Sequence, residues 1–173
     1  VTIILVRHTA VALAWRGRCY GRSDVPLSRA GKAAIAPLVA KLHRHNPDRI
    51  IHSGLKRTRA LAEALGASTG DPAWQERDFG SWEGQSWAAI YRASGAAMDG
   101  MIDAPDEFRP GGGETTTELA QRAAAAYAAL PTTGTTLIIT HGGPIAAILG
   151  MQRGLQPRDW LTLVPPHGGI TIV

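Results

Sequence analysis

The sequence is poor in several things at once. Among 173 residues it has one cysteine, three lysines and two phenylalanines, and charged residues make up only 18%. A single cysteine, Cys19, excludes an internal disulfide and fits a reducing cytoplasm. No apolar run approaches membrane-spanning length and no signal-peptide pattern is visible, which points to a cytoplasmic protein without membrane contact. The chain opens on Val1 rather than Met, so its start reads as trimmed or renumbered. The basic residues, 15 of them arginine, are scattered without a charge stripe or a recognisable module, which speaks against nucleic-acid binding despite the net charge of +4. A hydrophobic fraction of 45% excludes disorder. With no repeat or linker, residues 1–173 read as one domain with a substantial core.

What is present is a strand that ends in charge. Five of the first six residues are apolar and mostly branched, as in a parallel strand buried on both faces, and Arg7-His8-Thr9 follows directly. Residues 10–27 read as an Arg/Gly/aromatic loop. Ser28 reads as the N-cap of a helix to His43 that Pro37 kinks or restarts. A second strand spans 48–52, and Ser53 reads as the cap of the next helix. Residues 71–87 are irregular, a short helix covers 86–93, and 95–113 is a Gly/Pro-rich loop or lid. A helix over 115–130 stops at Pro131. Residues 136–140 form a third buried strand ending in His141, Gly142-Gly143-Pro144 opens an apolar helix, and a last strand lies near 170–173. Strands alternating with helices predict an α/β fold, a three-layer αβα sandwich around a mostly parallel central sheet.

In such sheets the ligand sits beyond the carboxyl ends of the strands. Parallel neighbours would bring His8 and His141 to one edge, with Arg7 beside them. Arg57, one turn after His52-Ser53, would join them from a helix start at that edge. Two arginines, two histidines and helix dipoles suit a phosphoryl group. His43 and His45, at a helix end, carry no metal-ligand pattern, and no metal is expected.

The chain resembles the histidine phosphatase superfamily, the phosphoglycerate mutase-like family, over nearly its whole length. Arg7-His8 is similar to the nucleophile motif, with Thr9 for the usual Gly. Ser53-Gly54-Leu55-Lys56-Arg57 is similar to the second motif, with Gly54 for Pro. Glu76-Arg-Asp-Phe-Gly80 with Trp82-Glu83-Gly84 resembles the acid segment. Gly112-Gly113-Glu114-Thr115 with Arg122, and Thr140-His141-Gly142-Gly143, complete the set. The resemblance implies that His8 forms a phosphohistidine, that Arg7, Arg57 and His141 hold the phosphoryl oxygens, and that Glu76, rather than Asp78 or Glu83, is the proton donor. It implies catalysis without metal or cofactor. Glu114 reads as a supporting hydrogen-bonding residue, Arg122 as its pairing partner and Cys19 as a packed loop residue.

Ala14 stands where many members carry a phosphate-binding asparagine, so Thr9 or the Gly21 backbone is expected to replace it, with Arg22 and Gly142 also binding substrate. The shortness of the chain and the lack of basic residues after the acid segment favour hydrolysis over mutase chemistry. The expected activity is therefore that of a phosphomonoester hydrolase acting on a small phosphorylated metabolite, as a monomer or homodimer. The loop Cys19–Leu27 with Asp78–Gly84 looks most like the α-ribazole phosphatase group, making α-ribazole 5′-phosphate the candidate substrate. The alternatives are a phosphoglycerate mutase and a non-catalytic phosphate-ligand binding protein.

Overall fold

A computed structural model describes residues 1–173. In chain order the elements are β1 (Thr2–Arg7), α1 (Arg29–Ala33), α2 (Ile35–Leu42), β2 (Arg49–His52), α3 (Lys56–Leu65) and β3 (Thr69–Gly70). They continue with α4 (Trp87–Ser94), α5 (Gly100–Asp103), α6 (Thr116–Ala128), β4 (Thr135–Thr140), α7 (Gly142–Gln152) and β5 (Ile170–Ile172). The sheet order is β3-β2-β4-β1-β5, with β5 antiparallel at one edge and the other pairings parallel.

Alternation along the strands builds the layers. Ile4 and Val6 of β1 and Leu137 and Ile139 of β4 face α2 and α3, meeting Leu38, Leu42, Leu61 and Leu65. Ile3, Leu5 and Ile138 face the other way, onto Ala123 of α6 and Ile145, Ile148 and Leu149 of α7. Each strand is covered on both sides, which is why it reads as a continuous apolar run. The expected three-layer αβα architecture is the one observed. No helix is long and apolar enough to cross a membrane.

The expected helix over 28–43 is two helices that break at Ala34. Pro37 causes the break. It sits in the first turn of α2, where a missing N–H costs nothing, whereas a continuous helix would press its ring on the Ala33 carbonyl. Ser28 caps α1 as expected, accepting from the Gly31 N–H at 2.9 Å. Ser53 does not cap α3. The cap residue is Leu55, and the Lys56 N–H instead reaches Asp24 Oδ1 at 2.7 Å. Thr115 and Glu118 form a reciprocal capping box at the start of α6. The segment expected as a loop over 95–113 contains α5 between two 3-10 turns, and a longer 3-10 turn covers Pro157–Leu163.

Thr136 in β4 is fully buried and its hydroxyl has no hydrogen-bond partner. An unpaired buried hydroxyl is destabilising, and valine has the same shape and a better strand preference. Thr136→Val should stabilise the fold by about 1 kcal/mol, raising Tm by about 3 °C in a thermal melt.

Candidate active site

The parallel register of β1 and β4 pairs Arg7 with Thr140, so His8 and His141 leave the sheet side by side. The His8 N–H extends the ladder to the Thr140 carbonyl at 3.1 Å, and the two rings meet edge-on with centroids 5.2 Å apart. Both side chains are buried. His8 Nδ1–H donates to the Thr9 carbonyl at 2.7 Å, which leaves Nε2 with its lone pair. Burial, then the nearby Arg57, hold the His8 imidazole well below the usual histidine range. Burial and Arg57 depress His141 in the same way. Both rings are therefore neutral.

Arg57 is fully buried in the first turn of α3. It donates to the Ser23 carbonyl at 2.7 Å, to the Gly21 carbonyl at 2.5 Å and, through Nε, to His141 Nδ1 at 3.3 Å. The Tyr20 ring lies 5.5 Å from its guanidinium carbon. Arg7 donates to the Pro165 carbonyl at 2.7 Å, and its buried Nε has no partner. Neither arginine has an ion-paired carboxylate. A fully buried cation, Arg57, and a half-buried one, Arg7, both without a counter-ion, make a site that an anion would complete.

Of the three competing carboxylates, only Glu76 lines the cavity. Its oxygens accept from the Arg77 N–H at 2.9 Å and the Gly143 N–H at 3.1 Å. A Cβ on Gly143 would overlap that carboxylate, so the glycine is a space requirement. Asp78 accepts from the Gly80 N–H and pairs with Arg22. Glu83 accepts from the N–H groups of Arg22 and Ser23, fixing the loop whose carbonyls hold Arg57. Arg122 does more than pair with Glu114. It also donates to the carbonyls of Ala73, Gln75 and Glu76, clamping the segment that presents the acid.

Several expected placements differ. Thr9 is buried outside the cavity lining with its hydroxyl unpaired, and its carbonyl is what serves the site, by fixing the His8 tautomer. Gly21 contributes a carbonyl to Arg57 rather than an N–H to a ligand, and a Cβ there would overlap the Arg77 carbonyl. Arg22 points to Asp78 and Glu114, away from the cavity, because those carboxylates capture it. Gly142 does line the cavity, packed flush against Arg7 and Val164. The first N–H groups of α3 and α7 are engaged by Asp24 and Glu76, so the helix dipoles act on carboxylates in this resting site. Burial pushes the Cys19 thiol up to about 12, which leaves it an inert packed residue.

Four participants, Ser53, Thr58, Arg77 and His167, were not read as such from the sequence. Ser53 joins His141 Nε2 at 2.8 Å and Thr58 at 2.8 Å, and Thr58 donates to the Leu55 carbonyl. The chain His141–Ser53–Thr58–Leu55 thus runs in one direction, and with the Arg57 contact it occupies both His141 nitrogens. Arg77 lines the cavity with its Nη1 buried and without a partner, and Arg18 lines it as well. His167 lies 5.2 Å from His8, its imidazole lowered to about 4 by burial and Arg7. Ser53 and Arg77 stood inside recognisable motifs. His167 follows two prolines and reaches the site only through the antiparallel return of β5.

A family model described as the histidine phosphatase superfamily, branch 1, matches residues 3–173. A glucosyl-3-phosphoglycerate phosphatase of Mycolicibacterium vanbaalenii is 27% identical, covering 93% of this chain and 78% of that protein. A probable phosphoglycerate mutase GpmB of Proteus mirabilis is 29% identical over 88% of this chain and 75% of that protein. The solved structure of Bacillus stearothermophilus YhfR superposes with a TM-score of 0.90, at 24% identity over 99% of this chain and 89% of that one. Motif order, fold and family model agree, and the chain belongs to branch 1 of the histidine phosphatase superfamily.

Proposed function

We propose that the protein is a phosphomonoesterase that works through a phosphohistidine on His8. The observation that carries this reading is a fully buried Arg57 and a half-buried Arg7, neither paired to a carboxylate, flanking a neutral imidazole whose Nε2 is unencumbered. His8 Nε2 attacks phosphorus while Arg7 and Arg57 neutralise the charge that spreads over the phosphoryl oxygens. Glu76 gives its proton to the departing alkoxide, then takes one from the water that cleaves the phosphohistidine. His141 accepts at Nδ1 from the Arg57 Nε–H at 3.3 Å and so orients the guanidinium toward the phosphoryl group. The arginines supply the positive charge, so the reaction is proposed to be metal-independent.

The substrate is proposed to be a small phosphorylated metabolite. α-Ribazole 5′-phosphate rests on the loop resemblance alone, since the relatives named above are a glucosyl-3-phosphoglycerate phosphatase and a probable mutase. A mutase is the second reading, favoured by Arg18 and Arg77, which bring to the cavity the cationic grip that the sequence after the acid segment lacks.

Hydrolysis of p-nitrophenyl phosphate and α-ribazole 5′-phosphate should be measured beside interconversion of the two phosphoglycerates. His8→Ala should lower hydrolysis by about 10⁴-fold or more. Activity surviving that change would sink the mechanism, and faster interconversion than hydrolysis would install the mutase. Glu76→Gln should release one burst equivalent of nitrophenol, whose departure needs no acid. It should then stall as an acid-labile phosphoenzyme.

Acid should weaken the fold before carboxylates titrate. Unfolded histidines bind protons near 6.5, whereas His8, His141, His52 and His167 are all depressed in the fold. Below 6.5 the unfolded state therefore binds more protons, and stability falls with falling pH toward the folded values, about 4 for His167. A near-fully buried histidine such as His8 or His141 contributes a slope of up to about 1.4 kcal/mol per pH unit. Tm should drop between about pH 6.5 and 5, and a flat profile there would contradict the neutral-histidine site.

A further inference from the structure

The cavity has a second half that the phosphoryl chemistry does not use. It encloses about 400 Å³, with His8, His141, Arg7, Arg57 and Glu76 at one end. Its other walls are Phe79, Trp87, Met101, Ile102, Trp160 and Leu161. Phe79 and Trp87 meet edge to face at 5.6 Å. The Thr116 hydroxyl holds the Met101 carbonyl at 2.7 Å, fixing α5 on α6. Trp160 lies over Gly150 of α7, where any Cβ would overlap its indole, and its ring N–H is spent on the Leu155 carbonyl at 3.0 Å.

The polar groups in these walls are almost all donors. No Asp, Asn, Gln, Ser or Lys lines the cavity. Both Glu76 oxygens accept from backbone N–H groups. Arg18 and Arg77 can only donate, and Arg18 already donates to the carbonyls of Ala14 and Gly84. A hydroxyl on the leaving group must place its own proton on an acceptor, and the far half has no free carboxylate or amide to receive it. A buried hydroxyl there would have only the Tyr20 and Thr116 hydroxyls to accept its proton, whereas a hydrocarbon face would meet aromatic and aliphatic walls.

We infer that the leaving group is an alcohol with an apolar, hydroxyl-poor body, alicyclic, aryl or branched alkyl, seated against Trp87, Ile102, Trp160 and Leu161. This rests on the phosphomonoesterase reading and narrows it. It also sets the chain apart from a relative named for a glucosyl substrate, whose leaving group is rich in hydroxyls.

Cyclohexylmethyl phosphate and glucose 6-phosphate test it, since both are primary phosphomonoesters carrying a six-membered ring and differ chiefly in hydroxyls. The wild-type kcat/KM should favour the cyclohexyl ester by about 10- to 100-fold. Leu161 is 68% exposed, so Leu161→Asn spares the core and should cut that preference at least several-fold, mainly through KM for the cyclohexyl ester. Inorganic phosphate, as a competitive inhibitor, reports the phosphoryl end separately. Glucose 6-phosphate turned over as well as its hydrocarbon counterpart would overturn the inference, with the phosphatase reading intact. A preference lost only together with phosphate inhibition would overturn the wall assignment. Failure to hydrolyse these esters and p-nitrophenyl phosphate alike would remove the phosphatase reading, and this inference with it.

Discussion

A fully buried guanidinium without a counter-ion is the constraint on which the rest of the site depends. Desolvating such a cation costs several kcal/mol, and hydrogen bonds to a charged group return about 1.5–3 kcal/mol each. Arg57 has three, to Gly21, Ser23 and His141, and rests on the Tyr20 ring. Each partner is itself held in place. Glu83 fixes the N–H groups of the loop whose carbonyls face Arg57, and Ser53 with Thr58 fixes the far side of His141. Three distant stretches of chain thus converge on one charge, and the site is pre-organised for an anion before one arrives.

The same cation helps keep the His8 imidazole neutral. Burial and Arg57 both oppose protonation of His8, and the Thr9 carbonyl sets which nitrogen carries the hydrogen. The site thus holds its histidines neutral at the cost of acid stability. The acid is managed separately. Arg122 ties the carbonyls of 73, 75 and 76 to Glu114, and Gly143 leaves just enough room for the Glu76 carboxylate at the start of α7. The phosphoryl end is accordingly rigid and crowded with hydrogen bonds. The aromatic and aliphatic side chains of the cavity offer contact area, and Thr9 departs from the family motif without a polar contact to show for its hydroxyl.

Much was legible in the sequence because local rules govern it. Branched runs over 2–7 and 135–140 could only be buried strands, and Gly142-Gly143-Pro144 could only open a helix. The αβα layering followed from their alternation. The resemblance carried by five ordered motifs named the residues that the parallel register then set together: His8, His141, Arg57, Glu76 and Arg7. Side-chain destinations were less legible. Ser53 has the form of an N-cap yet serves His141, and Arg22 sits in a motif loop yet is captured by two carboxylates far along the chain.

By itself, then, the sequence determined the main strands and helices, their order and the chemical types at the strand ends, since these depend on periodicity, turn residues and motif spacing over a few neighbours. It did not show β3, α5, the position of the α1–α2 break or the 157–163 turn. Tertiary structure alone decided that Asp78 and Glu83 are turned to Arg22 and the 22–23 loop, that Arg57 is held by backbone carbonyls rather than a carboxylate, and that Arg77 and His167 stand near His8. It also decided that α5 and the turn at 157–163 supply apolar side chains to the cavity. Those outcomes depend on contacts between residues 34 to 159 positions apart, where the partner of a polar group is chosen by packing rather than by its neighbours in the chain.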